Sequence, residues 1–157
     1  MIRFIAAIDS KKGLADDHGI PWQGKIPGDV AQFRNKTIHG VVMMGAGWYK
    51  EQIKPLPERC NIVATSSSEE LRPGFEKVTD AHTFLENTKE DIWVGGGAGL
   101  FASTLDLADE LHLTRINKDF KCTKFFPEFE DKFKLKFESK PTTENNITYH
   151  FETWVKK

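Results

Sequence analysis

The chain has 157 residues, with 22 Lys+Arg against 23 Asp+Glu and a formal net charge of -1, so no broad basic face is available to hold nucleic acid. That length suits one domain, 1–157, burying roughly 70% of its unfolded surface. No stretch approaches the ~18 apolar residues that span a bilayer, and the apolar run in the N-terminal MIRFIAAIDSKKG is too short for a signal core. A soluble cytoplasmic protein with no membrane partner is expected, with Cys60 and Cys122 as ordinary reduced thiols, since no CxxC or nearby histidine cluster suggests a metal site.

Taken in chain order, Ile2 to Ile8 is a continuous apolar run once Arg3 is set aside, as in a strand covered on both faces, and Lys11 to Gly19 is a polar, Gly-bounded loop. The segment GIPWQGKIPGDVAQF at 19–33 has a single acid, Asp29, among Ile20, Trp22, Ile26, Val30 and Phe33. Two readings of that acid stand side by side. It caps a helix by accepting from first-turn N–H groups, or it stands in an apolar cleft as the carboxylate for a flat, cationic or amidine-like ring. The spacing predicts a helix from about Val30 to Ile38, with Val30, Phe33, Thr37 and Ile38 on its buried side.

Val41 to Met44 is a short buried strand ending at Gly45, Tyr49 to Ile53 a brief helix before the Pro-Leu-Pro turn at 55–57, and Asn61 to Thr65 the next strand. The hydroxyl cluster Thr65, Ser66, Ser67, Ser68 follows it. Asp80 caps a helix through Phe84 and Leu85, Asp91 to Val94 is a strand running into Gly95, Gly96 and Gly97, and a helix covers Gly99 to Leu105. Glu110 to Ile116 alternates Leu111 and Leu113 against His112 and Thr114. Phe133, Leu135 and Phe137, then Ile147, Tyr149 and Phe151, alternate around the turn PTTENN as a C-terminal hairpin. This order predicts an α/β sheet, mostly parallel, finished by antiparallel strands.

Two strands end in glycine and lead into helices, VVMMGAGWY at 41–49 and IWVGGGAGLF at 92–101. Glycine there lets the backbone approach a ligand such as a nucleotide pyrophosphate, or it simply makes a tight turn. Gly97, Gly99 and Ala102 satisfy G-x-G-x-x-G/A, but the dinucleotide fold needs that signature at its first strand. Two such segments in one small domain favour a cofactor.

Together these features resemble the dihydrofolate reductase family. The resemblance is carried by IAAI at 5–8, IPW at 20–22, P-x-D-x-x-x-F at 27–33, MG at 44–45, PLPER at 55–59, the glycine run with Phe101, LTRI at 113–116, FFP at 125–127 and YHFE at 149–152. It implies a mixed, mostly parallel eight-stranded sheet flanked by helices, and reduction of dihydrofolate by NADPH, with NADH left open. By matching position, Asp29 would bind the pterin through its amino group and ring N–H, with Trp22 holding an ordered water and Thr114 hydrogen-bonding the carboxylate. Ile5, Ala6, Ala7, Phe33 and Leu56 would line the substrate cleft, and Arg59 would grip the glutamate tail. On the cofactor side the resemblance implies Ala7, Leu14, Gly45, Ala46, Gly47, Trp48, Thr65, Ser66, Gly96, Gly97, Ala98, Gly99, Leu100 and Phe101, with 96 and 97 as a cis Gly-Gly pair. The loop Lys11 to Gln23 would be a lid, and a monomer is the default.

Several positions depart from the family pattern. Ala46 and Trp48 replace an arginine and a threonine expected to meet the cofactor's 2′-phosphate and pyrophosphate, with Lys77, Ser66 and Ser67 as substitutes, and Gly95 replaces an apolar side chain and is expected to open space near the ring, weakening antifolate drugs. Two rival readings are a same-fold reductase of a ribosylated pyrimidine in riboflavin synthesis, and a nucleotide-binding module without turnover.

Overall fold

A computed structural model describes residues 1–157. The N-terminal apolar run is β1, Ile2–Ile8, and it lies inside the main sheet with Phe4 and Ile8 fully buried. Covering both of its faces accounts for the near-continuous apolar sequence, each large side chain contributing about 1.5–3 kcal/mol. The elements that follow are β2 (Gly13–Ala15), α1 (Pro27–Thr37), β3 (Val41–Gly45), α2 (Ala46–Glu51), β4 (Cys60–Ala64), β5 (Phe75–Val78), α3 (Ala81–Asn87) and β6 (Ile92–Val94). Then come α4 (Ala98–Thr104), a single 3-10 turn at Leu105–Leu107, β7 (Glu110–Ile116), β8 (Lys124–Phe125), β9 (Phe133–Glu138), β10 (Thr142–Glu144) and β11 (Ile147–Lys156).

The main sheet runs β10-β11-β7-β1-β6-β3-β4-β5, with β9 also paired to β11. Strand β10 meets Ile147–Tyr149 and β9 meets Glu152–Lys156, so the two share one edge of β11 and the sheet is eight positions wide. Every neighbouring pair from β5 across to β7 is parallel, and β11 is antiparallel to β7. A separate antiparallel pair joins β2 to β8. Phe4, Phe101, Phe126 and Phe129 stack in sequence through the larger core, with ring centroids 4.9 to 6.3 Å apart.

Several local features differ from expectation. Helix α1 starts at Pro27, where a missing N–H costs nothing, so Asp29 lies in the first turn and Ile26 takes the cap position without a side-chain bond. Val30 is 62% exposed rather than part of the buried stripe, because it faces a cleft and not the core. Helix α2 begins directly after Gly45, earlier than its glycine-containing start suggests, and β5 is an edge strand whose two charges hid it. Within PTTENN, Thr142–Glu144 is itself a strand, and only Asn145 and Asn146 form the turn, with φ of 51° and 64° as a two-residue type I′ loop requires.

Candidate active site

After β3 the chain moves outward to β4, and after β6 it crosses β1 to β7, so the connections part at the carboxyl ends of the central strands. A cleft of about 800 Å³ opens there. One wall is Ile5, Ala6 and Ala7 of β1, and another is Asp29, Val30 and Phe33 of α1. The glycine segments 45–48 and 95–101 face them, and residues 14–20 with Trp22 close the side.

Asp29 is placed by long-range contacts. Thr114 on β7 donates its hydroxyl to Asp29 Oδ1 at 2.6 Å. The start of α1 is pinned by the C-terminal hairpin, where Glu144 Oε1 accepts from the Gly28 N–H at 3.0 Å and from the Tyr149 hydroxyl at 2.5 Å. A Cβ at Gly28 would run into the Tyr149 hydroxyl oxygen, so glycine lets the helix start lie this close to β11. Asn145 Nδ2 adds a bond to the Lys25 carbonyl at 2.6 Å. Burial among apolar side chains raises the pKa of Asp29 above the usual carboxylate range, and the Thr114 hydrogen bond offsets part of that rise. The cap reading of Asp29 does not hold, and its side chain serves the cleft.

The 11–23 loop is anchored at its base. Asp9, fully buried at the end of β1, accepts from the N–H groups of Lys11 and Gly13 through Oδ1 and of Phe120 through Oδ2, at 2.9, 2.7 and 3.0 Å. Trp22 is buried with its ring centroid 5.2 Å from that of Phe120. Farther along, Asp16 and Gly19 exchange backbone hydrogen bonds of 2.9 and 3.2 Å, forming the tight turn that brings Leu14 to Ile20 to the cleft.

At the glycine end, the Gly45 N–H donates to the Gly96 carbonyl at 2.7 Å, and the Gly96-Gly97 peptide is cis. Cβ atoms built on Gly47, Gly97 and Gly99 would meet nothing within 4 Å, so this backbone is open to a ligand. Ala46, Trp48, Ala98, Leu100 and Phe101 complete that end. Gly95 does not open space: a Cβ there would lie 2.5 Å from Cζ3 of Trp48, whose ring fills the volume.

Other expected residues stand outside this lining. Leu56 is half-buried with its N–H on Asn61 Oδ1 at 2.8 Å. Arg59 donates to Thr37 Oγ1 at 3.1 Å and holds its guanidinium 5.8 Å from the Phe33 ring centroid. Thr65 and Ser66 follow β4 beyond the cleft, where Lys77 Nζ donates to the Ser67 carbonyl at 2.8 Å and to Glu69, bringing an ammonium to the hydroxyl cluster. Val30 and His18 line the cleft too, the second within the expected 11–23 loop, and Lys124 is a lining residue that the sequence did not suggest. Adjacency to Asp29 was a signal for Val30, and for Lys124 there was none.

Fold and cleft define an α/β protein with a carboxylate-based small-molecule site at the carboxyl ends of its parallel strands. A family profile described as Dihydrofolate reductase matches residues 1–156. The dihydrofolate reductase of Bacillus subtilis is 32% identical over 155 residues, covering 97% of this chain and 91% of the relative. That of Buchnera aphidicola is 33% identical over 159 residues, covering 96% of each. Among solved structures, dihydrofolate reductase from Enterococcus faecalis complexed with NADP(H) and RAB-propyl is 25% identical, covers 100% of this chain and 96% of that one, and superposes with a TM-score of 0.88. The chain belongs to the dihydrofolate reductase family.

Proposed function

We propose that the protein reduces 7,8-dihydrofolate to 5,6,7,8-tetrahydrofolate with NADPH, on the strength of one observation above the rest: the Thr114-bonded carboxylate of Asp29 in the cleft, facing an open glycine backbone. Asp29 binds the pterin amino group and ring N–H, and Ile5, Ala6, Ala7 and Phe33 pack the ring between them. Thr114 fixes which Asp29 oxygen remains free for the ligand. Leu56 and Arg59 extend the substrate site along α1, where the guanidinium takes the glutamate tail.

The cofactor fits the other end. Gly45, Gly47, Gly97 and Gly99 present backbone without side chains, and Ala7, Leu14, Ala46, Trp48, Gly96, Ala98, Leu100 and Phe101 surround them. When bound, NADPH supplies a hydride to C6 of dihydrofolate. Because burial and Thr114 alone set the Asp29 titration, with no cation contributing, a ring that gains a proton is stabilised by its charge, and carboxylate and ring titrate together. Trp22 and the lid bring the water that delivers the proton to N5. Ala46 leaves no guanidinium for the 2′-phosphate, and Lys77 with Ser66 and Ser67 takes that role.

One domain over 1–157, a monomer and a cytoplasmic location complete the proposal. No helix is long and apolar enough to cross a membrane. The test is product analysis after incubation with dihydrofolate and either NADPH or NADH. Tetrahydrofolate formed faster with NADPH supports the reading, and cofactor binding with no product refutes it.

A further inference from the structure

Trp48 and Gly95, both departures from the family pattern, meet in space. Trp48 lies in α2 and Gly95 directly after β6, yet a Cβ built on Gly95 would lie 2.5 Å from Cζ3 and 3.1 Å from Cη2 of the indole. The ring therefore occupies the volume that a side chain at position 95 would fill. On another side the indole stands edge-on to Phe33, with centroids 6.0 Å apart and planes at 69°. Trp48, Gly95, Phe33 and Asp29 all line the same cleft, and Trp48 is only half-buried, so part of its ring is free to meet a ligand.

We propose that Trp48 is a specificity-determining residue: its indole, seated on Gly95 and braced by Phe33, is the wall against which a ring held by Asp29 packs. The apolar surface expected from position 95 is supplied here by a ring from α2. Phe33 and the Gly95 backbone bound the indole on two sides, so a side chain at 95 drives it into the ligand's space. This inference rests on the reading of the cleft as a dihydrofolate site.

A residue swap tests it, read by KM, by kcat and by the equilibrium Kd for dihydrofolate. Gly95→Ile pushes the ring into the cleft and raises Kd tenfold or more. Trp48→Thr removes the wall and raises Kd several-fold, with KM moving more than kcat. In the double variant the isoleucine grows into the vacated volume, and Kd returns to within threefold of native. Such non-additivity is the signature of two residues sharing one space. Additive effects, or a native Kd in Gly95→Ile alone, overturn the proposal. If circular dichroism shows that Gly95→Ile does not fold, the double variant is compared with Trp48→Thr, where recovery supports the wall and its absence overturns it. A native protein that binds no dihydrofolate refutes the functional reading itself, whereas native binding with an additive swap refutes only the wall.

Discussion

Replacing Asp29 by asparagine changes one atom in the cleft and separates its chemistry from its structural cost. The Thr114 hydroxyl donates to Oδ1 at 2.6 Å, so in Asp29→Asn the amide oxygen keeps that bond and the amide NH₂ is turned toward the ligand. Of two charge-assisted hydrogen bonds to the ring, about 1.5–3 kcal/mol each, one becomes donor against donor and the other is left with a neutral acceptor. Their loss lowers kcat/KM by about 10²–10⁴-fold at neutral pH. Stability moves the other way. Burial raises the folded-state pKa of Asp29, so the folded protein binds its proton more tightly than the unfolded chain. The ionised carboxylate therefore costs stability above the folded pKa, and the cost shrinks as pH falls toward the unfolded value near ~3.9. Asp29→Asn should unfold at or above the native temperature at neutral pH, and the gap should close in acid. Steady-state kinetics and thermal unfolding across pH measure both. A variant with near-native kcat/KM, or one destabilised equally at every pH, would contradict this role of Asp29.

Three further outcomes follow from the same geometry. Thr114→Val removes the bond that holds the Asp29 pKa down, so the pKa seen in the pH–rate profile moves upward and kcat/KM falls about 10–100-fold; an unmoved profile counts against the pairing. Gly28→Ala drives a methyl group into the Tyr149 hydroxyl and costs about 1–3 kcal/mol in chemical denaturation, and adding Tyr149→Phe recovers part of it, offset by the Tyr149–Glu144 hydrogen bond it removes. Ellman's reagent should titrate one thiol of the folded protein, exposed Cys60, while Cys122 stays unreactive because burial and the neighbouring Asp9 push its pKa to about 12.

Strands such as β1 and β7 were legible because their patterns record burial directly, and β1 runs from Ile2 to Ile8 as its apolar residues indicate. Asp29 was legible as the lone acid in an apolar stretch. Its supports were not: Glu144 and Gly28 are 116 positions apart, and no local pattern joins them. Val30 misled because an apolar residue facing a ligand cleft and one facing the core look alike in sequence. Gly95 misled for a related reason, since a missing side chain implies space only until a ring from elsewhere fills it. The C-terminal turn was placed too broadly because the polar segment Thr142–Glu144 pairs with β11, where the ladder overrides its composition.

Asp29 and the glycine backbone opposite it are proposed to make one reducing site. Absorbance at the nicotinamide band, followed with NADPH alone and then after adding dihydrofolate, tests it most directly when native protein and Asp29→Asn are run side by side. NADPH oxidation that begins only with dihydrofolate, and is nearly abolished in the variant at neutral pH, is the predicted result. No dihydrofolate-dependent oxidation by the native protein, or equal rates in the two proteins, would contradict it.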